Sequence, residues 1–228
     1  MDVIVEAGKT QAYPPRQSAV LEQALRLLVE GGEKALTTAG VARAANCSKE
    51  SLYKWFGDRD GLLSAMIGFQ AGKVRTVDVA AETLTIESLR RHLIAFARDL
   101  LDVLSGDVSL ALNRLAIGQA NRKETKGSKL GRLLQERGRR QVERRAAALL
   151  EAGRQARLLR FKDAQEAYAT LYGLIVSDLH LRMLLGETVE PMKREFAGRA
   201  ERAIDAFLVL HGVENVGQGR ETPAKGQE

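Results

Sequence analysis

The chain has 228 residues, 45% of them hydrophobic and 28% charged, an ordinary globular composition that argues against wholesale disorder. Its one cysteine, Cys47, excludes a disulfide scaffold and a multi-cysteine metal site. The formal net charge of +6 and the pI of about 9.6 permit an anionic partner without identifying one.

Residues 1–15 read as a flexible tail that ends in Pro14-Pro15 and carries no basic start leading into an apolar core, so no secretory signal is expected. A first helix starts at Arg16, with Val20, Leu21, Ala24, Leu25 and Leu28 on one face, and stops at Gly31-Gly32. Thr37-Thr38 can cap a second, short helix carrying Val41, Ala42 and Ala45. After Asn46, Ser48 caps a third helix over 49–55, which Gly57-Asp58 breaks. Asp58 caps a fourth, running from Arg59 through Leu62, Leu63, Met66, Ile67 and Phe69 to the Lys73 region.

Helical periodicity continues over 86–104, 108–120, 129–157, 163–185 and 195–210. Strand-type alternation is confined to the short and weak stretch 74–79. Gly106, Gly127 and residues 186–191 mark connections, and the Gly-rich stretch 212–228 reads as a second flexible tail. The longest apolar stretch, 171–185, is broken by Asp178, His180 and Arg182, and nothing approaches the ~20 apolar residues that span a bilayer. A reduced, cytoplasmic compartment is therefore expected.

The stretch from Thr37 to Leu62 carries the functional information. It reads as a short helix, a tight turn at Asn46 and a second short helix; asparagine tolerates left-handed backbone better than most residues. Val41, Ala42, Ala45, Cys47 and Leu52 are the small or apolar residues that a compact helix pair needs. The other face of the second helix offers Lys49, Glu50, Ser51, Tyr53 and Lys54, groups suited to phosphates and base edges. This is the arrangement of a helix-turn-helix.

The same stretch resembles the DNA-binding signature of the TetR family of transcriptional regulators. The matching residues are Ala45-Asn46-Cys47-Ser48, Leu52-Tyr53, Trp55-Phe56 and Arg59-Asp60-Gly61-Leu62. Asn46, Cys47 and Arg59 stand where the family pattern has glycine, valine and lysine, and each keeps the physical role. Glu50 replaces a commonly small residue, which implies a different base preference. Further along, Asn113-Arg114-Leu115-Ala116-Ile117, the arginine-rich helix around Gly138, Asp178-Leu179-His180-Leu181-Arg182, Leu184-Leu185-Gly186 and Ala206-Phe207-Leu208 resemble the C-terminal region of the AefR-like subfamily.

The resemblance implies an all-α fold. A three-helix DNA-binding domain over 16–75 would precede a helical ligand-binding and dimerisation domain over 76–211. It implies that Thr38, Arg43, Tyr53, Lys54 and Arg59 contact phosphates, that Lys49, Glu50 and Ser51 face base edges, and that Ser48 caps the recognition helix. It implies a small-molecule pocket among the helices starting near Ile86, Val108, Lys129 and Asp163, with Phe96, Leu100, Leu104, Leu115, Gln119 and Tyr172 as liners. It also implies a homodimer through the last two helices. The candidate stripes are Tyr168, Leu171, Ile175 and Leu179 on one helix and Phe196, Ala200, Ile204, Phe207 and Leu208 on the other. The alternative is that both stripes form the subunit's own core.

Charge does not locate the DNA site. Residues 1–75 carry ten Lys/Arg against eight Asp/Glu, whereas residues 110–160 carry fourteen against four. Arg132, Arg137, Arg139, Arg140, Arg144 and Arg145 read as a solvated helix face; the alternatives are an anionic ligand entrance or a second nucleic-acid contact.

Catalysis has little support. His92, His180 and His211 are scattered, and neither a metal-binding histidine pair nor a Gly-x-Ser-x-Gly elbow occurs. Gly8-Lys9-Thr10 lacks the rest of a phosphate-binding loop, and Cys47 reads as a small hydrophobe rather than a redox sensor. The expectation is a non-enzymatic regulator without metal or cofactor. It would bind double-stranded operator DNA as a homodimer and be released by a small-molecule effector. The competing class is a helical binding or assembly protein that does not read DNA, and the salt dependence of duplex affinity separates the two.

Overall fold

A computed structural model describes residues 13–76, 79–120 and 129–213. The described residues form helices and connections, with no strand; of the stretch 74–79, the described residues 74–76 and 79 are in none, and one isolated bridge joins Leu159 to Gly212. The expected tails, Gly8-Lys9-Thr10 and Gly127 lie almost wholly outside the described residues.

Helix α1 (Pro15–Ala35) starts with proline at its first position, where the missing N–H costs nothing. It runs past the expected stop at Gly31-Gly32, and the chain instead kinks at Gly32, whose φ is 63°. Three caps then set the head. The Thr37 hydroxyl accepts the Gly40 amide at 3.0 Å and opens α2 (Thr38–Ala44). The Ser48 hydroxyl accepts the Ser51 amide at 3.1 Å and opens α3 (Lys49–Phe56). The Asp58 carboxylate accepts the Gly61 amide at 2.8 Å and opens α4 (Arg59–Ala71). Each side-chain oxygen satisfies an amide that the first helical turn leaves without an internal partner.

The remaining helices are α5 (Ile86–Ser105), α6 (Asp107–Gln119), α7 (Lys129–Leu133), α8 (Arg140–Gln155), α9 (Ala164–Val176), α10 (Leu179–Leu184), α11 (Val189–Lys193) and α12 (Phe196–His211). Two expected segments differ. The one over 129–157 contains a π-helical stretch, Leu134–Arg139, between α7 and α8. The one over 163–185 is cut by Ser177 at φ 47°, which ends α9 and lets α10 start in a new direction.

Two apolar clusters hold the molecule together. One joins Val20, Leu21, Leu25 and Leu28 of α1 to α2, α3 and α4, and also takes in Leu112 and Ala116 of α6 and Leu130 of α7. Residues 16–75 thus do not close their core alone. The other joins α5, α8, α9 and α12 through residues such as Leu93, Phe96, Leu150, Leu171, Ile175 and Phe207.

The basic residues have a structural use that composition does not reveal. Arg145, expected on a solvated face, is buried and donates to the carbonyls of Ala71 and Val74 at 2.7 and 3.1 Å, just beyond the last turn of α4. Arg114 donates to Met183 and Leu184 at the end of α10, and Arg199 to Ile175 and Val176 at the end of α9. Each brings a cation to carbonyls at or just past a helix end, on the negative side of its dipole.

Candidate nucleic-acid interface

The turn between α2 and α3 is built around Asn46, which holds φ 48°, and around Arg16, whose guanidinium donates to the carbonyls of Ala45 and Asn46 at 3.2 and 2.6 Å. The start of α1 is thereby fixed to the reversal. Leu52 and Phe56 bury one side of α3 against the head's core. At 100° per residue, Lys49, Tyr53, Glu50 and Lys54 then fall on one arc of about 140°, its middle about 110° from the buried side. All four are exposed, Tyr53 with 57% of its surface accessible, an unusual state for a large aromatic side chain.

The other expected contacts divide. Arg43 is exposed, and Thr38 is half-buried at the start of α2. Ser51 is half-buried, and its hydroxyl lies 3.1 Å from that of Ser48, which holds both at the helix start. The Glu50 carboxyl is held below the ordinary carboxylate range by its own backbone amide, by the Ser48 hydroxyl and by Lys49, so this face keeps an anion among its cations. Arg59 does not extend freely from the head. It pairs with Glu33 at 3.0 Å, and the other Glu33 oxygen accepts from the Gln119 amide at 2.8 Å. That chain ties the start of α4 to the ends of α1 and α6.

A cavity of about 200 Å³ lies behind the head, among α5, α6, α8 and α9 as expected, with α4 and α10 as further walls. Leu100, Leu104 and Tyr172 of the expected liners face it. The other three do not. Phe96 is buried in the C-terminal core, Leu115 packs against the head's cluster, and Gln119 is held by Glu33. The lining instead includes Gln70 of α4, Arg139 of the π-helical stretch, Tyr168 and His180. Gln70 continues the apolar stripe Leu63, Met66 and Ile67 with a polar residue, a position that does not by itself mark a cavity liner.

The expected dimer stripes are not surface. Tyr168, Leu171, Ile175, Leu179, Phe196, Ala200, Ile204 and Phe207 are buried within the protomer, and Leu208 is partly buried against the same core. A side chain already covered in one subunit has no area left to offer a second. The apolar side chains left exposed on these elements are Leu181 and Leu185 around α10, the latter 80% accessible, and Val209 and Leu210 of α12, the former 84% accessible.

Comparison with known proteins gives consistent likenesses. Residues 20–66 match the family described as bacterial regulatory proteins, tetR family, and residues 91–213 match the C-terminal domain of AefR-like transcriptional repressors. A TetR transcriptional regulator of Agrobacterium tumefaciens, known from its crystal structure, is 67% identical. The match covers 89% of this chain and 97% of that one, with a TM-score of 0.75. The flavonoid-responsive regulator FrrA is 26% identical over 86% of this chain and 97% of its own, with a TM-score of 0.61. The HTH-type transcriptional regulator BetI of Rhizobium meliloti (strain 1021) is 37% identical over 73 residues, which are 32% of this chain and 36% of that relative's length.

Proposed function

The chain belongs to the TetR family of bacterial transcriptional regulators, with a C-terminal half of the AefR-like type, and from that membership we propose that it is a ligand-responsive repressor. It is a regulator of transcription and not an enzyme. In the proposed mechanism it binds a palindromic operator in the cytoplasm as a homodimer, through residues 16–75, and residues 76–211 bind the effector and pair the subunits. Among the described residues no helix is long and apolar enough to cross a membrane.

The observation that carries this reading is the double role of α4. Its first half packs against α3, which presents Lys49, Tyr53 and Lys54 outward, and its last turns supply Ile67, Gln70 and Ala71 to the cavity wall. A ligand that fits better when α4 is displaced favours a head orientation that no longer matches two successive major grooves, about 34 Å apart along DNA. Operator affinity then falls. Pairing would use the outward apolar residues of α10 and α12, namely Leu181, Leu185, Val209 and Leu210. The name of FrrA, a regulator responsive to flavonoids, supports response to a small organic molecule.

The test is a band-shift series on a duplex that the protein selects from a random library. Tyr53→Phe, which removes a phosphate-contacting hydroxyl, should weaken binding to every sequence alike. Lys49→Ala should cost about 1–3 kcal/mol and relax one base position per half-site. Unchanged affinity in both variants overturns the assignment of α3 as the reading helix.

A further inference from the structure

Resting on the reading of the cavity as the effector site, we infer that its ligand is a single-ring aromatic acid that also carries a hydroxyl group. Size sets the first limit. An apolar cavity of ~150 Å³ takes up benzene, so about 200 Å³ accommodates one substituted ring more readily than a fused pair. The wall suits an aromatic ring. Tyr168 and Tyr172 stand with centroids 6.0 Å apart and planes tilted by 52°, beside the aliphatic Leu100, Leu104 and Val142.

Two polar atoms set the second limit. Gln70 is more than nine-tenths buried, and neither its Oε1 nor Nε2 of His180 has a hydrogen-bond partner among the described residues. Both residues line the cavity. A carbonyl oxygen only accepts, so a ligand group that reaches Gln70 Oε1 must donate to it. Burial holds the His180 imidazole neutral, and its Nε2 can accept or donate according to tautomer. A hydroxyl group, able to do both, complements either atom. A buried polar atom without a partner is unfavourable, and a ligand recovers that cost by supplying one.

Charge sets the third limit. Among the described residues of the lining, Arg139 is the one charged side chain and none is a carboxylate. Its guanidinium carbon lies 5.2 Å from the Tyr172 ring centroid, at the edge of the aromatic wall. A ring with a carboxylate therefore meets a cation, and a ring with an ammonium meets repulsion, both moderated by solvent because Arg139 is exposed. The π-helical stretch that places Arg139 here falls into a class of helix defect frequent at functional sites.

Calorimetry on the full chain without DNA tests the inference. The probes are the three isomers of hydroxybenzoate, benzoate, 4-hydroxybenzylamine and 6-hydroxy-2-naphthoate. At least one hydroxybenzoate should bind tenfold or more tightly than benzoate and than the amine, and more tightly than the naphthoate. Gln70→Leu should abolish the preference for the hydroxyl, and Arg139→Gln should abolish the preference for acid over amine. Benzoate binding as tightly as every hydroxybenzoate, a preference for the amine, or no binding by any probe overturns the inference. These comparisons on the unaltered chain decide the matter even if Gln70→Leu does not fold. Duplex titration of the same preparation separates the two claims. Duplex binding without probe binding overturns the ligand class alone, and probe binding without duplex binding overturns the repressor reading alone.

Discussion

At the scale of single residues, the turn of the head depends on Asn46, whose left-handed backbone places its neighbours on opposite sides of the reversal. Asparagine bears that conformation cheaply, whereas a β-branched residue does not, and left-handed geometry costs most residues about 1–2 kcal/mol. Asn46→Val should lower stability by about that amount or more in chemical denaturation, and Asn46→Gly should be close to neutral. His180 makes a second prediction. Burial depresses its pKa below the ordinary 6.5, so between that value and the folded pKa the unfolded chain binds more protons than the native one. Stability contributed by the neutral ring is then full above 6.5 and lost as pH falls through that window. The denaturation midpoint should drop between pH 7.5 and 5.5, and His180→Phe should flatten the part of the drop that this ring causes. The turn was legible because left-handed asparagine has a local signature. The roles of Gln70 and His180 were not, because a polar residue inside an apolar stripe reads the same whether it is satisfied or orphaned.

At the scale of elements, the caps on α2, α3 and α4 were all legible, since a hydroxyl or carboxylate followed by a helical stripe is a local chemical pattern. Asp58→Ala should cost about 1 kcal/mol through the lost cap on α4. Gly61→Ala should cost more than Asp58→Ala, because a Cβ at that position would sit 1.9 Å from the Phe56 carbonyl oxygen; thermal melts of the two variants compare them directly. The break at Ser177 and the π-helical stretch escaped the sequence because serine is not a usual left-handed residue and no residue type marks a π-helical turn. Periodicity also finds an apolar stripe without saying what covers it. The stripe from Tyr168 to Leu179 is covered by the subunit itself, and that depends on the placement of α5, α8 and α12.

At the scale of the whole molecule, the head is bound to the rest by linkages at both ends of α4. Arg59–Glu33–Gln119 and Lys129–Asp60 hold its start, and Arg145 holds its end through the Ala71 and Val74 carbonyls. The exposed pairs contribute little to stability individually. Arg145 is different, because losing it leaves the Val74 carbonyl without its donor and the Ala71 carbonyl with only the Val74 amide, and an unsatisfied buried group costs ~1–3 kcal/mol. Arg145→Met should therefore both destabilise the chain and blunt the effect of ligand on duplex affinity, as read by denaturation and by titration with and without ligand. Subunit pairing through α10 and α12 predicts that Val209→Glu with Leu210→Glu yields monomers in sedimentation at micromolar concentration and lowers duplex affinity more than a hundredfold. The central claim is that α3 of two paired subunits reads a double helix, and a fluorescence titration of the selected duplex at 50 and 200 mM salt tests it most directly. The account predicts two protomers per duplex, affinity that falls by on the order of a thousandfold or more between the two salts, and a shallower salt slope for Lys54→Ala. Affinity indifferent to salt, or unchanged by Lys54→Ala at both concentrations, contradicts it.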